Sequence, residues 1–460
     1  MVHINDIKSE HNIAGGRMII KRETLFVFLV AVIILIYNTV WIEQYSFYAN
    51  YAVKILAITS LFIFFRCQKM SDSQTKVVVL YSMLLMYGLL IATLNQQFTL
   101  SFPLIIKYST RIFALIAIMM VLNRNRYSEN VIRFPIIIGV ILSVQSILLF
   151  IMIITGTAPE PNYINLSVGE MRNYGILGFC PSIEWGHNDL YIPRLSSFFS
   201  ESSNFAVFLE YPIILSLGYY KICGGKRYLL SLGVCLLCFI LTFSLTGYIA
   251  LTFSVVLFHS LKKKTMGKIA VLIFMSAVVF SFHIYSKITY IDNPAERTAI
   301  QHILFSKYAD ALRSPEDIRG MYGGRVYSSI ENSKLFFENP FGIGLLQNED
   351  IDILKKQGTE AYTTIHIFGA FWFWLVKTGF VGMLILLLIF GITIKKMKNF
   401  MYDKTDIRNY ISIAFISIFL HHFISGDWID PMFLFVMALI LSYKTENVGR
   451  KCITAKQSHV

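Results

Sequence analysis

Long apolar runs separated by polar connections dominate the chain from residue 24 onward. A helix that crosses a hydrocarbon layer of about 30 Å needs roughly 20 mainly apolar residues. Two connections, 157–202 and 287–366, are much longer than the others. The pattern predicts twelve transmembrane helices, at 24–40, 49–65, 77–94, 103–122, 134–156, 203–220, 228–243, 246–260, 269–286, 367–392, 409–424 and 430–443.

The connections alternate in charge. Every second one, counted from the amino terminus and including both termini, is basic, and together they hold 26 Lys and Arg side chains. The short connections between them hold none. Because Lys and Arg accumulate in cytoplasmic loops, we expect both termini in the cytoplasm and the loops 157–202 and 287–366 on the extracytoplasmic side. The predicted fold class is an all-α polytopic membrane protein, with residues 1–460 forming one transmembrane domain.

Composition agrees with this topology. The chain is 55% hydrophobic and 15% charged, with a mean hydropathy of +0.59, which is well above the range of water-soluble domains. A net charge of +13 would suggest nucleic-acid binding in a soluble protein, but here most of the excess lies in the predicted cytoplasmic connections. We therefore expect membrane lipids as partners, and no nucleic acid.

The second long loop contains helix-like stretches at 294–312 and 325–337, separated by Pro- and Gly-containing turns. We expect this loop to fold over the membrane surface as a lid. No repeat relates the first six spans to the last six, which argues against a carrier built from repeats.

Four cations lie inside predicted spans, namely Lys54, Lys107, Arg111 and Lys377. Ionisable groups in the membrane are costly unless they are paired or face a cavity, so each is a candidate functional residue. Lys54 and Lys377 also fit simple snorkelling toward the headgroups. Lys107 and Arg111 share one helical face, where like charges repel. An anion between them, such as a lipid phosphate, would remove this repulsion, and the planar guanidinium of Arg suits phosphate oxygens.

Both long loops end in motifs that could carry chemistry. The first closes with Arg194 and the Ser-rich stretch to Glu201-Ser-Ser-Asn-Phe-Ala206, where Ser and Asn also suit a simple helix start. The second contains Gly323-Gly324-Arg325 and Asn339-Pro-Phe-Gly-Ile-Gly344, and it closes with His366 before an aromatic span.

Taken together, these motifs resemble the Wzy-type O-antigen and capsule repeat-unit polymerases, within a superfamily that includes the O-antigen ligases. The resemblance implies a GT-C-like glycosyltransferase in the bacterial cytoplasmic membrane. Its substrates would be undecaprenyl-diphosphate-linked oligosaccharides, joined on the outer face without metal, nucleotide sugar or other cofactor. A chain-length regulator is a further candidate partner.

The resemblance also implies roles for individual residues. Arg194 and Arg325 match the paired loop arginines of the family and would hold the diphosphate and sugar, while Lys107, Arg111 and Lys54 would engage lipid phosphate. His366 is the candidate base for the acceptor hydroxyl, and Glu201 is its rival or orients an arginine.

Three alternatives stay open. A polysaccharide ligase shares the layout, and a flippase or transporter shares the spans. The pairs His187 with Asp189, and His421 and His422 with Asp427, leave a metal site open. The turn at 244–247 lacks an Arg common in the family, which puts in doubt whether the seventh and eighth predicted spans contribute to the site.

Overall fold

The computed structural model describes residues 54–60, 69–123, 128–166, 169–181, 186–187, 190–191, 193–199, 201–262, 325–346, 369–399 and 406–442. This part of the chain is mainly helical. Its named helices are α1 Asp72–Leu94, α2 Phe98–Leu122, α3 Ser128–Ile154, α4 Ser202–Cys223, α5 Lys226–Leu241, α6 Leu245–Lys262, α7 Arg325–Glu338, α8 Ala370–Lys398, α9 Ile407–Ile424 and α10 Pro431–Ser442.

Six of these helices, α1 to α4, α8 and α9, are long and apolar enough to cross a membrane. The prediction of a helical membrane protein is confirmed, and every predicted span between 77 and 260 and beyond 367 is a helix. The two brief turns near 244 and 425 each separate two distinct helices. The predicted spans 24–40 and 269–286 lie outside the described residues, and only 54–60, which is helical, is described of the span 49–65.

The short helix α10 lies at the centre of the bundle. All 12 of its residues are buried, and it packs against α2, α8, α9 and α1. A helix that is apolar all round is stable only when other helices surround it. The remaining helices α3, α4, α5 and α6 join this group through α9, which contacts both α4 and α6.

Helix ends that adjoin basic connections in the sequence are joined to one another at one end of the bundle. Gln74, at the start of α1, donates to Asn123 Oδ1 at 2.9 Å and to Ser442 Oγ at 2.7 Å, which ties together the end of α2 and the end of α10. The guanidinium of Arg133 lies 5.0 Å from the Tyr219 ring and joins the start of α3 to the end of α4. Helix ends that the charge pattern assigns to one side therefore meet in space.

The first long loop folds onto the opposite end as two small antiparallel sheets. Strands β1 Asn162–Leu166, β2 Gly169–Asn173 and β3 Phe179–Pro181 form one, and β4 Gly186–His187 pairs with β5 Leu190–Tyr191. The sequence pattern did not predict these strands, because strands of two to five residues are too short to show a clear alternation.

The loop is held together by its own hydrogen bonds and is attached to the bundle by others. Within the loop, Phe179 N donates to Ser197 O at 2.6 Å, and Ser196 Oγ donates to Phe179 O at 2.7 Å. Gln145, on α3, donates to Ile176 O in the loop.

Burial raises the pKa of Cys180 to about 12, although the charge of Arg172 acts in the opposite direction, so this thiol stays protonated at neutral pH.

Helix α8 is broken at Gly379, where φ is 62° and ψ is −161°. The segment 339–346, which follows α7, packs into this break and against α1. The described part of the second long loop therefore contacts two membrane-spanning helices. The lid over the membrane surface stays a prediction.

Candidate functional site at the loop-bearing end of the bundle

Arg194 lies where the first long loop meets the turn between α5 and α6. Its Nη2 donates to Phe243 O at 3.4 Å, and the next residue, Leu195, donates its backbone N–H to Leu241 O at 3.4 Å. The side chain is half-buried. Leu241 is the last residue of α5 and Phe243 lies two residues beyond it, so the connection between α5 and α6 contributes to the surroundings of this candidate residue.

Glu201 occupies the N-cap position of α4 in extended backbone geometry, with φ −145° and ψ 154°. Its side chain is exposed, and Oε2 accepts a hydrogen bond from Ser203 Oγ at 2.8 Å. Glu201 does not cap the helix with its own side chain. An exposed carboxylate at this position remains accessible to a ligand, although its negative charge is also favourable at a helix amino terminus.

Arg111 faces into the bundle and has a partner within the chain. The expected i, i+4 placement of Lys107 and Arg111 on one helix is confirmed by α2, where Lys107 is exposed. Arg111 Nη1 lies 3.5 Å from Asp427 Oδ2 and donates to Ile429 O at 3.0 Å. The counter-charge that the sequence analysis sought in a lipid phosphate is therefore supplied to Arg111 by Asp427. The role of both cations in lipid phosphate binding stays a prediction.

Asp427 is held rigidly by α8 and by its own loop. Its Oδ1 accepts hydrogen bonds from Trp374 Nε1 at 3.1 Å and from Ile429 N at 3.0 Å. Because Oδ1 is fixed by two donors, Oδ2 is oriented toward Arg111. We call Arg111, Trp374, His422, Asp427 and Asp430 the Asp427 cluster; its members come from α2, α8, α9 and the α9–α10 turn.

His422 and Asp430 complete the Asp427 cluster. His422 Nδ1 accepts the backbone N–H of Asp427 at 3.2 Å, and its Nε2 lies 3.5 Å from Asp430 Oδ1. Asp430 also accepts Met432 N at 2.8 Å and so caps α10.

A second polar pair lies deeper between α4 and α9. His421 Nδ1 and Glu210 Oε1 are 2.5 Å apart, and both side chains are 0% exposed. Glu210 was not among the predicted site residues. It could have been found in the sequence, because it is an ionisable residue inside a predicted span, as are the four cations Lys54, Lys107, Arg111 and Lys377. The rings of His421 and His422 are 6.3 Å apart, so the pair adjoins the Asp427 cluster.

The histidines that left a metal site open point to different partners. His421 faces Glu210, while His422 faces the α9–α10 turn. Among the described residues, no group of three or more His, Cys, Asp or Glu side chains could hold a metal ion. The side chains of His187 and Asp189 lie outside the described part.

The four remaining predicted site residues are His366, Arg325, Lys54 and Lys377. His366 lies outside the described residues, and Arg325 is the first residue of α7 with a side chain that is not described. Lys54 is half-buried on the helical stretch 54–60. Lys377 is only 1% exposed; it donates to Leu346 O, and Nζ lies 3.9 Å from the centre of the Phe373 ring. Lys377 therefore anchors the segment 339–346 rather than snorkelling.

Arg194 and Glu201 lie at the loop-bearing end of the bundle, close to the start of α4, and the Asp427 cluster is built around the α9–α10 turn, with Arg111 near the middle of α2. The candidate residues thus comprise a half-buried guanidinium, an accessible carboxylate and a fixed network of charges. Compared with protein-family models, curated proteins and solved structures, the chain gives no match.

Proposed function

We propose that this protein is a membrane-embedded glycosyltransferase that joins undecaprenyl-diphosphate-linked oligosaccharide repeat units into a surface polysaccharide. The observation that carries the proposal furthest is the position of Arg194. It is half-buried at the junction of a folded loop with the α5–α6 turn, in the motif that resembles the Wzy-type polymerases. The proposed location is the outer face of the bacterial cytoplasmic membrane, with both termini in the cytoplasm.

In the proposed reaction, a hydroxyl of one lipid-linked repeat attacks the anomeric carbon of a second lipid-linked chain. The new glycosidic bond forms as the bond to undecaprenyl diphosphate breaks, and the hydroxyl proton passes to a base. Glu201, which is exposed, or His366 would take this proton. Arg194 and Arg325 would stabilise the negative charge that develops on the departing diphosphate.

The exposure of Lys107 on α2 supports the proposal that its ammonium group holds the lipid phosphate. Arg111 would contribute through the Asp427 cluster, since its charge is already balanced by Asp427. In this arrangement Arg111 orients the α9–α10 turn, and Lys107 makes the direct contact with the lipid headgroup.

Reconstitution tests the proposal. The purified protein would be placed in lipid vesicles with extracted lipid-linked repeat units, and product length would be read on a gel. Arg194→Ala should lower the polymerisation rate by roughly 10²- to 10³-fold, the effect of removing one electrostatic donor to developing charge. Arg172→Ala is the matched control, because Arg172 is another half-buried arginine of the same loop, and it should polymerise normally.

Normal polymer from Arg194→Ala would contradict the assignment of Arg194. A wild-type protein that transfers a finished chain to a different acceptor, without extending single repeats, would instead identify a ligase. Movement of repeats across the vesicle membrane without any new glycosidic bond would identify a flippase.

A further inference from the structure

The segment 339–346 closes the break in α8 through its backbone. Phe380 N donates to Pro340 O at 3.0 Å, Ile343 N donates to Val376 O at 3.1 Å, and Gly344 N donates to Lys377 O at 2.9 Å. In hydrocarbon, an unsatisfied backbone group costs several kcal/mol. The segment therefore supplies partners that the broken helix cannot supply itself.

Glycines make this close approach possible. Gly342 has φ +97°, and a Cβ at this position would lie 2.5 Å from Lys377 O. Gly344 has φ +103°, and its Cβ would lie 2.8 Å from the Cα of Ala92 on α1. Only glycine adopts such backbone angles without strain while leaving room for two neighbouring backbones.

The contacts fix how deep the segment lies. Gly379 is nine residues beyond the start of α8, which corresponds to about 14 Å along a helix with a rise of roughly 1.5 Å per residue. On the other side, the contacts with α1 run from its end inward. Asn95, the residue after α1, donates through Nδ2 to Ile343 O at 3.2 Å, whereas Tyr87 Oη donates to Phe341 O at 3.0 Å, and Tyr87 precedes the end of α1 by seven residues, or about 10 Å. The segment thus runs inward from the loop-bearing end of the bundle, and Phe341 is its deep part.

The outer side of the segment is apolar and continues the outer face of α1. Phe341 is 65% exposed and Phe380 is 64% exposed. On α1, next to the contact with Tyr87, Met86 and Leu90 are also exposed.

We infer that residues 339–346 form a re-entrant segment within the outer leaflet, and that lipid hydrocarbon chains cover Phe341 and Phe380. The occupant is lipid because the patch is continuous with the outer face of a span and lies about 10 to 14 Å below the ends of two spans. Irregular backbone at this depth is tolerated because it is buried against protein on its other side. The second long loop therefore dips into the membrane before it continues.

Spin-label accessibility tests this inference. Phe341→Cys and Phe380→Cys would be labelled with a nitroxide in the full-length protein, reconstituted in phosphatidylcholine vesicles. Collision rates would be measured with oxygen, which concentrates in hydrocarbon, and with a water-soluble nickel chelate. Two exposed positions serve as controls: Phe113→Cys on α2, 56% exposed, for lipid and Tyr163→Cys in β1, 59% exposed, for water. Signal from the native cysteines is subtracted with the unsubstituted protein.

The inference predicts that the ratio of oxygen to nickel collision rates at Phe341→Cys and Phe380→Cys matches that at Phe113→Cys. Ratios that match Tyr163→Cys at both positions would overturn it and return the segment to the aqueous loop. A lipid-like ratio at Phe380→Cys with a water-like ratio at Phe341→Cys would also overturn it, because Phe341 belongs to the segment itself. The result does not depend on the proposed glycosyltransferase activity.

Discussion

The buried pair of Glu210 and His421 should couple α4 to α9 energetically. Replacing Glu210 with Leu leaves the imidazole of His421 without its carboxylate in a site where both side chains are 0% exposed. Replacing His421 with Leu has the reverse effect. Replacing both with Leu removes both polar groups together and leaves apolar side chains at the helix contact.

The expected magnitudes follow from this burial. Removing one partner of a buried hydrogen-bonded pair leaves the other polar group unsatisfied, which costs about 1 to 3 kcal/mol. Replacing both by apolar residues is much cheaper, and often nearly neutral. Each single variant should therefore lose roughly 2 kcal/mol of the free energy of unfolding, and the double variant should recover a large part of that loss. The coupling energy between the two substitutions should be about 1 kcal/mol or more, because interhelical hydrogen bonds in model membrane peptides contribute about 1 to 2 kcal/mol.

The assay is unfolding of the purified protein in mild detergent by titration with sodium dodecyl sulfate, followed by circular dichroism. Phe423→Leu is the control on the same helix, because Phe423 is 44% exposed and should change stability by less than about 0.5 kcal/mol. Losses in the two single variants that add within about 0.5 kcal/mol in the double variant would refute the coupling.

Two further outcomes are expected. Arg194→Lys should retain less than about a tenth of wild-type polymerisation, because Lys cannot reproduce the bidentate fork of Arg; full activity in the vesicle assay would show that charge alone suffices. Gly342→Ala should destabilise the protein by about 1 to 3 kcal/mol from backbone strain, in addition to the clash with Lys377 O; unchanged unfolding in detergent would contradict the packing of this segment.

The helices were largely predictable, because crossing a membrane requires a local property, a run of apolar residues. Even the short separation between the predicted spans 228–243 and 246–260 is confirmed, although the connection between α5 and α6 lies at 242–244 rather than at Ser244 to Gly247. The break at Gly379 was not predicted, since a glycine in an apolar run is compatible with a continuous helix. It becomes a break because Pro340 O and Phe380 N bond across it, and these residues are far apart in the sequence.

The candidate site was predicted in part. Lys107 and Arg111 share a helix face as expected, but the partner of Arg111 is Asp427, more than 300 residues away. No local pattern indicates such a contact, because it depends on how α2 packs beside α10. Glu210 and His421 are 211 residues apart and meet for the same reason, whereas the motif from Arg194 to Glu201 was visible because its residues are neighbours in the chain.

The most direct test of the proposed function is to delete the gene in its native strain and to separate the surface glycan and the lipid-linked intermediates by size. The proposal predicts that single repeat units replace the polymer at the cell surface, and that the unsubstituted gene, but not Arg194→Ala, restores long chains. Polymer of normal length stranded on undecaprenyl diphosphate, or repeat units trapped on the cytoplasmic leaflet, would contradict a polymerase.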